Sequence, residues 1–307
     1  MVDPTIKLKG IIMRKFEVST CSTMDLNLER VKERDIKFVN FKYYLDGIEY
    51  FDDMFATKTA NDFYSAVANG AETKTSQVNV DLYTQLFRSV LSEGKDLLHL
   101  VFSSGLSGSY NSAKIAAAEV RAEFPDRKLL LVDTLAAASG LGLFAEMVAD
   151  LRDEGKTIDE AYEWAEASKL NLHHWFTASD LTAFVKGGRI SKAAGWFGTI
   201  LKICPVLNVS NEGKLVPREK IRGKASALKR LVEKMEETAY DGLEYSGRCY
   251  ISNSDCLEDA EAVKNMIEEK FVNLKGKVEI FSIGATIGSH TGRGTTALFY
   301  MGKERID

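Results

Sequence analysis

The 307-residue chain is short of the residues that staple, span or coat. Four cysteines (Cys21, Cys204, Cys249, Cys256) stand far apart, with no CxxC and no Cys/His spacing, so neither a disulfide framework nor a zinc site is expected. Scattered thiols of this kind read as reduced, structural side chains of a cytoplasmic protein. No run approaches the ~20 apolar residues of a membrane span. The opening MVDPTIKLKGIIM lacks the apolar core of a signal peptide. Met13-Arg14-Lys15-Phe16 looks like a natural first strand, so residues 1–12 are expected to be an extension, and a bacterial-type cytoplasmic location is the default. No Lys/Arg block occurs and the net charge is -4, which offers nucleic acid no surface. Internal repeats and low-complexity linkers are absent. What remains, 45% apolar and 27% charged, is the composition of an ordinary globular protein long enough for two domains, each with its own core.

Short apolar runs alternate with helical periodicity through the first half. "LLHLVF" (97–102) and "LLLVDT" (129–134) are too short for helices and typical of strands buried on both sides. Leu82, Leu86 and Val90 mark one helix. Tyr110, Ala113, Ala117, Val120 and Phe124 mark a second, and Leu141, Phe144, Val148 and Leu151 a third. This alternation over 13–170 predicts a parallel-sheet, three-layer α/β/α domain. After His173 six strand candidates crowd together with two helices, carrying Leu228, Leu231, Val232, Met235 and then Ala260, Val263, Ile267. A second, mixed-sheet domain over 171–307 is therefore expected, with Asn211-Glu212-Gly213 as a hairpin turn.

Four stretches carry chemistry. "LVFSSGLSGSYNSAK" (100–114) reads as strand end, Ser/Gly loop and helix start, a layout that cradles anions at the carboxyl end of a parallel sheet. Gly105 and Gly108 are expected to turn the backbone and let it approach a ligand, with Ser107 or Gly108 capping the helix. The spacing fits no phosphate loop, no dinucleotide fingerprint and no hydrolase elbow. "TSQ" (75–77) precedes a helix and reads as loop and cap. "IGSHTGRG" (287–294) places His290 in a glycine-rich turn, where a histidine faces a ligand more readily than one on an apolar strand. His99, flanked by leucine, reads as a core residue, and the adjacent His173 and His174 point apart. "KGGRIS" (186–191) is a basic turn ahead of a glycine- and aromatic-dotted stretch that could wall an apolar cavity.

Taken together and in order, "TSQ", "SSGLSGSYNSA" (103–113), "VDT" (132–134), "KGGRIS", "VPREKIRGKASAL" (216–228) and "IGSHTGRG" resemble the DegV family of bacterial fatty-acid-binding proteins. The resemblance runs from about Phe16 to Gly302. It implies two domains with a ligand tunnel between them, no cofactor and no catalysis. It also implies that one long-chain fatty acid is bound with its carboxylate met by Thr75, by Ser107 or Ser104, and by His290. The partner it implies is a fatty acid kinase that makes the acyl phosphate for phospholipid synthesis, docked near Arg189, with transient contact at a membrane surface left open. This chain departs from the family pattern at Cys21, where an acidic residue is usual, and at Val78 and Arg293, where proline is usual.

Two other readings compete. An acyl-ester or thioester hydrolase would use Ser104 or Ser107 as nucleophile, His290 as base and an orienting acid such as Asp133. A regulatory protein would use the lipid merely to complete its core.

Overall fold

The apolar runs of the first half become the strands of a parallel sheet. In the computed structural model, which describes residues 16–190 and 203–305, the chain opens with β1 (Phe16–Cys21), α1 (Leu28–Glu33) and β2 (Ile36–Val39). A small excursion follows: β3 (Lys42–Leu45), β4 (Ile48–Phe51), α2 (Ala60–Ala68) and β5 (Thr73–Ser76). The chain then returns through α3 (Val80–Leu91), β6 (Asp96–Val101), α4 (Ser109–Glu123), β7 (Leu129–Asp133), α5 (Ala138–Asp153) and α6 (Ile158–Ser168). The four-stranded sheet has order β2-β1-β6-β7 and every pairing in it is parallel. β6 is inner and buried almost end to end, as its leucines require. β7 is an edge strand with Leu130 and Leu131 only half-buried, so "LLLVDT" is not a strand enclosed on both sides.

The second half supplies β8 (Leu172–Ala178), α7 (Thr182–Lys186), β9 (Ile203–Val209) and β10 (Leu215–Arg222). It continues with α8 (Lys224–Thr238), β11 (Cys249–Asn253), α9 (Leu257–Lys270), β12 (Glu279–Ser282), α10 (Ala285–Thr291) and β13 (Thr295–Met301). Its six strands form one sheet, β10-β9-β8-β13-β11-β12, antiparallel except for β11 with β12. The two-domain α/β architecture with a parallel and a mixed sheet is thus the one expected. The N-terminal extension and the aromatic stretch after Ile190 lie outside the described residues.

Three local expectations are corrected. "TSQ" is not loop and cap: Thr75 and Ser76 belong to β5, which pairs antiparallel with β3 in a separate three-stranded sheet, β4-β3-β5. The signal was present in the sequence, since Asp46-Gly47 joins β3 to β4 with both residues at positive φ, 52° and 81°, as a two-residue hairpin requires. The buried face of α3 is set by Tyr83, Phe87, Val90 and Leu91, while Leu82 and Leu86 are only half-buried. The reason is His99 on β6, fully buried and packed edge-on by the rings of Tyr83 and Phe87. Finally, His290 sits in α10 rather than in a turn.

α5 joins the two domains. Twelve of its 16 residues are buried, the mark of a helix enclosed on all sides. It touches β1 of the parallel sheet and β8, β11 and β13 of the mixed sheet. A Cβ on Gly142 would lie 2.6 Å from the Met24 carbonyl oxygen and from Leu26 Cγ, whereas one on Gly140 would lie 2.6 Å from His174 Nε2 and Phe299. Two residues apart on a helix, these glycines face opposite ways, so each marks a close approach to one side. Strand alternation does the complementary work: His174 turns to α5, while its neighbour Trp175 meets Lys234 of α8. Glu146, fully buried on α5, gathers Arg30 of α1 and Tyr250 of β11, an ionic tie between the halves. A glycine inside a helix costs roughly 0.5–1 kcal/mol against alanine, so propensity alone favours Gly142→Ala. Packing reverses that sign. The fixed Met24 carbonyl leaves the new methyl no room, and the variant is expected to lose about 1–3 kcal/mol. Urea unfolding checks this, and an unchanged or raised midpoint would show that α5 is not seated as tightly as described.

Candidate functional site

A cavity of ≈300 Å³ lies where the two domains meet. Phe41, Phe102, Phe176, Phe184 and Phe299 supply much of its wall, and Val209 and Leu215 of the β9–β10 hairpin close another side. Among the described residues its polar lining gathers Thr75, Gln77, Ser107, His174, Arg189 and His290, with Thr286, Thr291 and Thr295.

The three-stranded sheet is what brings Thr75 here. Its small core of Tyr43, Leu45, Phe63 and Tyr64 packs on Ala285 of α10 rather than on the parallel sheet. β5 therefore runs beside α10. The Thr73 hydroxyl donates to the Ser289 carbonyl at 3.1 Å, and Thr75 Oγ1 is hydrogen-bonded to His290 Nε2 at 2.7 Å. Residues 215 positions apart thus form one polar pair. The other ring nitrogen, His290 Nδ1, has no hydrogen-bond partner among the described residues. It abuts Gly187, where a Cβ would collide with it. Burial, reinforced by the charge of Arg189, pushes the His290 imidazole down to about 4, so it is neutral near pH 7.

The Ser/Gly loop is positioned by different contacts from those its glycines imply. Neither Gly105 nor Gly108 has a positive φ. A Cβ on Gly105 would lie 2.5 Å from the Glu212 carbonyl oxygen, and one on Gly108 would overlap the Gln77 side chain. These glycines make room for protein, the first for the β9–β10 hairpin and the second for "TSQ". Ser103 completes the clasp by donating to the Gly213 carbonyl at 2.7 Å. Gln77 Nε2 donates to Ser112 Oγ of α4 at 3.1 Å. The Val78 amide donates to Ser109 Oγ at 3.2 Å, a bond that proline, usual in the family at this position, lacks.

Ser107 lines the cavity, half-buried, with its hydroxyl 3.0 Å from Ser109 Oγ. Ser104 is exposed and is not among the lining residues. Its amide donates to Asp133 Oδ1 at 3.1 Å, which also accepts the Leu135 amide. The hydrolase reading therefore finds no assembled triad: His290 bonds Thr75 rather than a serine, and Asp133 is engaged by backbone amides away from it.

Arg189 is placed unexpectedly. It lines the cavity, half-buried, with Nε donating to the Leu106 carbonyl at 3.3 Å and Nη1 to the Gly187 carbonyl. Among the described residues it has no carboxylate partner, and burial lowers its affinity for the proton. His174, which the sequence reading did not single out as a site residue, also lines the cavity. Its Nε2 accepts the Ala137 amide, and burial holds it well below the usual histidine range. Strand alternation with His173 was the signal available for it. His99 is a core residue, bonded to Ser19 Oγ at 2.7 Å and held by burial to about 3. Cys21 is fully buried beside Thr23 and raised by burial to about 11, an unreactive thiol. Among the described residues no group of three or more side chains converges as metal ligands, and no helix is long and apolar enough to cross a membrane.

Because the folded His290 value lies below the ordinary 6.5, its contribution to stability is complete above about 6.5 and is lost as the pH falls through about 4. His290→Asn should therefore show a shallower acid-side loss of stability than the parent chain, and an NMR titration of the ligand-free protein should place the imidazole near 4. A titration at the ordinary histidine value would mean the ring is not enclosed as described.

The chain matches the DegV family model, whose description reads "Uncharacterised protein, DegV family", over residues 15–303. A DegV domain-containing protein of Clostridium perfringens is 39% identical over 290 residues, covering 94% of this chain and 98% of that one. Among solved structures, a DegV lipid-binding protein of Thermotoga maritima superposes with a TM-score of 0.81 at 28% identity, covering 95% of this chain and 100% of that one. The fatty-acid-binding DegV family protein of Thermus thermophilus superposes at 0.83 with 26% identity, covering 94% and 100%. By its sequence and by the fold these proteins share, the chain belongs to the DegV family.

Proposed function

We propose that this protein binds one long-chain fatty acid in the interdomain cavity and holds its carboxylate at Thr75, Ser107 and His290. The observation that carries this reading is the joining of an aromatic-walled cavity to a polar group made of a hydroxyl–imidazole pair, a loop serine and a guanidinium that has carbonyl partners but no carboxylate among the described residues. The tail provides most of the affinity: about fourteen methylenes at ~0.8 kcal/mol each give ~11 kcal/mol before ordering costs. Nanomolar binding corresponds to ~12 kcal/mol, so the head group has only to add a little and fix the direction of entry. Arg189 supplies the positive charge that the Ser/Gly loop lacks. Its two carbonyl bonds hold it at the wall, leaving its charge for the acid or for a docking partner.

The acid is then presented to a fatty acid kinase, which docks near Arg189 and phosphorylates the exposed carboxylate. Neutral groups suit that task better than a ring of cations would, since a carboxylate locked in several charge-assisted bonds is slow to leave. The lipid-binding and fatty-acid-binding relatives support this reading, as does the absence of an assembled Ser–His–acid triad among the described residues.

Denaturing the purified protein and analysing an organic extract by mass spectrometry should yield one long-chain acid per chain. Against the delipidated protein, Ser107→Ala should weaken binding of that acid roughly tenfold, the worth of one hydrogen bond to a charged group. Ser104→Ala should leave it unchanged, and the alcohol of the same chain length should respond little to either variant. An empty extract, from protein that also takes up no added acid, would sink the proposal.

A further inference from the structure

Among the described residues, Asp25 and Asp52 neither line the cavity nor form an ion pair. Asp25 closes the short turn after β1 in left-handed backbone, φ 47°, and Asp52 follows β4. They are 4% and 1% exposed. Both converge on Gly284, which caps α10. A Cβ built there would lie 2.6 Å from Asp25 Oδ1 and 3.4 and 3.5 Å from the two oxygens of Asp52. Asp52 Oδ2 accepts the Thr286 amide at 3.1 Å. Neither oxygen of Asp25 receives a well-aligned hydrogen bond among the described residues, although the Gly284 amide lies beside it.

Among the described residues no cation offsets the pair. Facing it are Tyr64 of α2, whose hydroxyl donates to the Ile283 carbonyl, Tyr43 of β3 and Asp53. Asp255 and Cys256, ahead of α9, stand behind Tyr64. Among the described residues no Lys, Arg or His pairs with either carboxylate. Two neighbouring carboxylates buried without a cation do not both ionise. Burial, and then the nearness of Asp52, holds Asp25 well above the usual carboxylate range, and burial raises Asp52 as well.

We propose that Asp25 and Asp52 share one proton, Asp25 as the acid and Asp52 as the carboxylate capping α10, and that this pair fixes the helix carrying His290 against the first loop and the three-stranded sheet. Asp25 and Asp52 are positioning residues: they act on the ligand only through α10, whose Thr286, Ile287 and His290 line the cavity. When the proton leaves for solvent, the two adjacent negative charges repel each other, so the first loop and the end of β4 that carry them are driven apart and the seat they form for the start of α10 opens. The consequence for ligand binding rests on the head-group reading above, while the pair itself does not.

The sign of the pH effect follows from Asp25. Its folded value is raised, so its contribution to stability is complete below the unfolded carboxylate value and is lost as the pH rises through the folded one. Thermal unfolding of the full, delipidated chain between about pH 5 and about pH 9 reads this directly. The histidines contribute equally to both proteins, so relative to Asp25→Asn, which keeps a donor but has no proton to lose and tolerates the left-handed backbone, the parent midpoint should fall with rising pH. Asp52→Asn should flatten that fall too, by removing the neighbouring charge. Affinity for one long-chain acid should drop roughly tenfold more over that range in the parent than in Asp25→Asn, the effect of about one unit of coupling. The acid's own titration cancels in that comparison.

If both amide variants keep the parent slope, there is no shared proton. If sodium, magnesium or calcium chloride raises the parent midpoint at high pH but not that of Asp25→Asn, a cation occupies the pair and the proposal is overturned. Flattened stability with an unchanged affinity profile would break the link to α10. Failure of all the proteins to bind acid at any pH would instead overturn the head-group reading, with the stability profiles still judging the pair.

Discussion

Helix α5 is the piece on which the rest of the molecule is hung. It packs against two sheets at once, with small residues where a sheet comes close and large ones where space opens. Its position sets the distance between the parallel and mixed sheets, and that distance sets the bore of the cavity beside its first turn, where Ala137 and Ala138 form part of the wall. The spacing is mechanical as well as hydrophobic. Interiors packed at crystal-like density transmit a displaced methyl instead of absorbing it, so a shift of α5 would reach His174 and Phe299 before it reached solvent. The Glu146–Arg30–Tyr250 tie adds direction to this packing, because an ion pair and a phenol fix orientation in a way that contact between apolar surfaces does not.

The polar end of the cavity combines two electrostatic strategies. Thr75, Ser107 and His290 are neutral near pH 7 and present hydroxyl and imidazole groups to one cavity, where what they can bond is decided by geometry. Arg189 discriminates by sign. A half-buried guanidinium with only carbonyl partners among the described residues has exchanged part of its hydration for weaker bonds, so an anion entering the cavity would restore what was given up. Burial, and after it the same charge, lowers the basicity of His290, keeping the ring neutral and its ring nitrogens divided between one donor and one acceptor.

Local signals carried the sequence reading as far as elements and fold class. The six strands after His173 and the apolar faces of α8 and α9 follow period and turn chemistry, and those properties are local. Thr75, Ser107 and His290 stand around one cavity because each motif brings its own backbone. What escaped was set by partners distant in sequence. Gly105 and Gly108 resemble turn glycines until the hairpin and Gln77 are seen against them. Ser104 and Ser107 are equivalent in a string and differ only when the loop is folded. The β3–β5 sheet was announced by Asp46-Gly47 and overlooked because the strand–helix alternation around it was stronger. The acids Asp25 and Asp52 carry no motif at all, and nothing within ten residues of either points to the other.

The bond between β5 and α10 has a consequence for the order of events during synthesis. Thr75 and His290 are separated by 215 positions and Asp52 and Thr286 by 234, so the polar end of the cavity joins two segments that are far apart in the sequence. Contacts of such separation bear the full entropy of loop closure and form late. A ribosome-bound chain that has completed the parallel sheet still lacks α10, and with it the partner of Thr75. The growing chain therefore carries β5 through the synthesis of the whole mixed sheet up to β12 before His290 and Thr286 are released to meet Thr75 and Asp52.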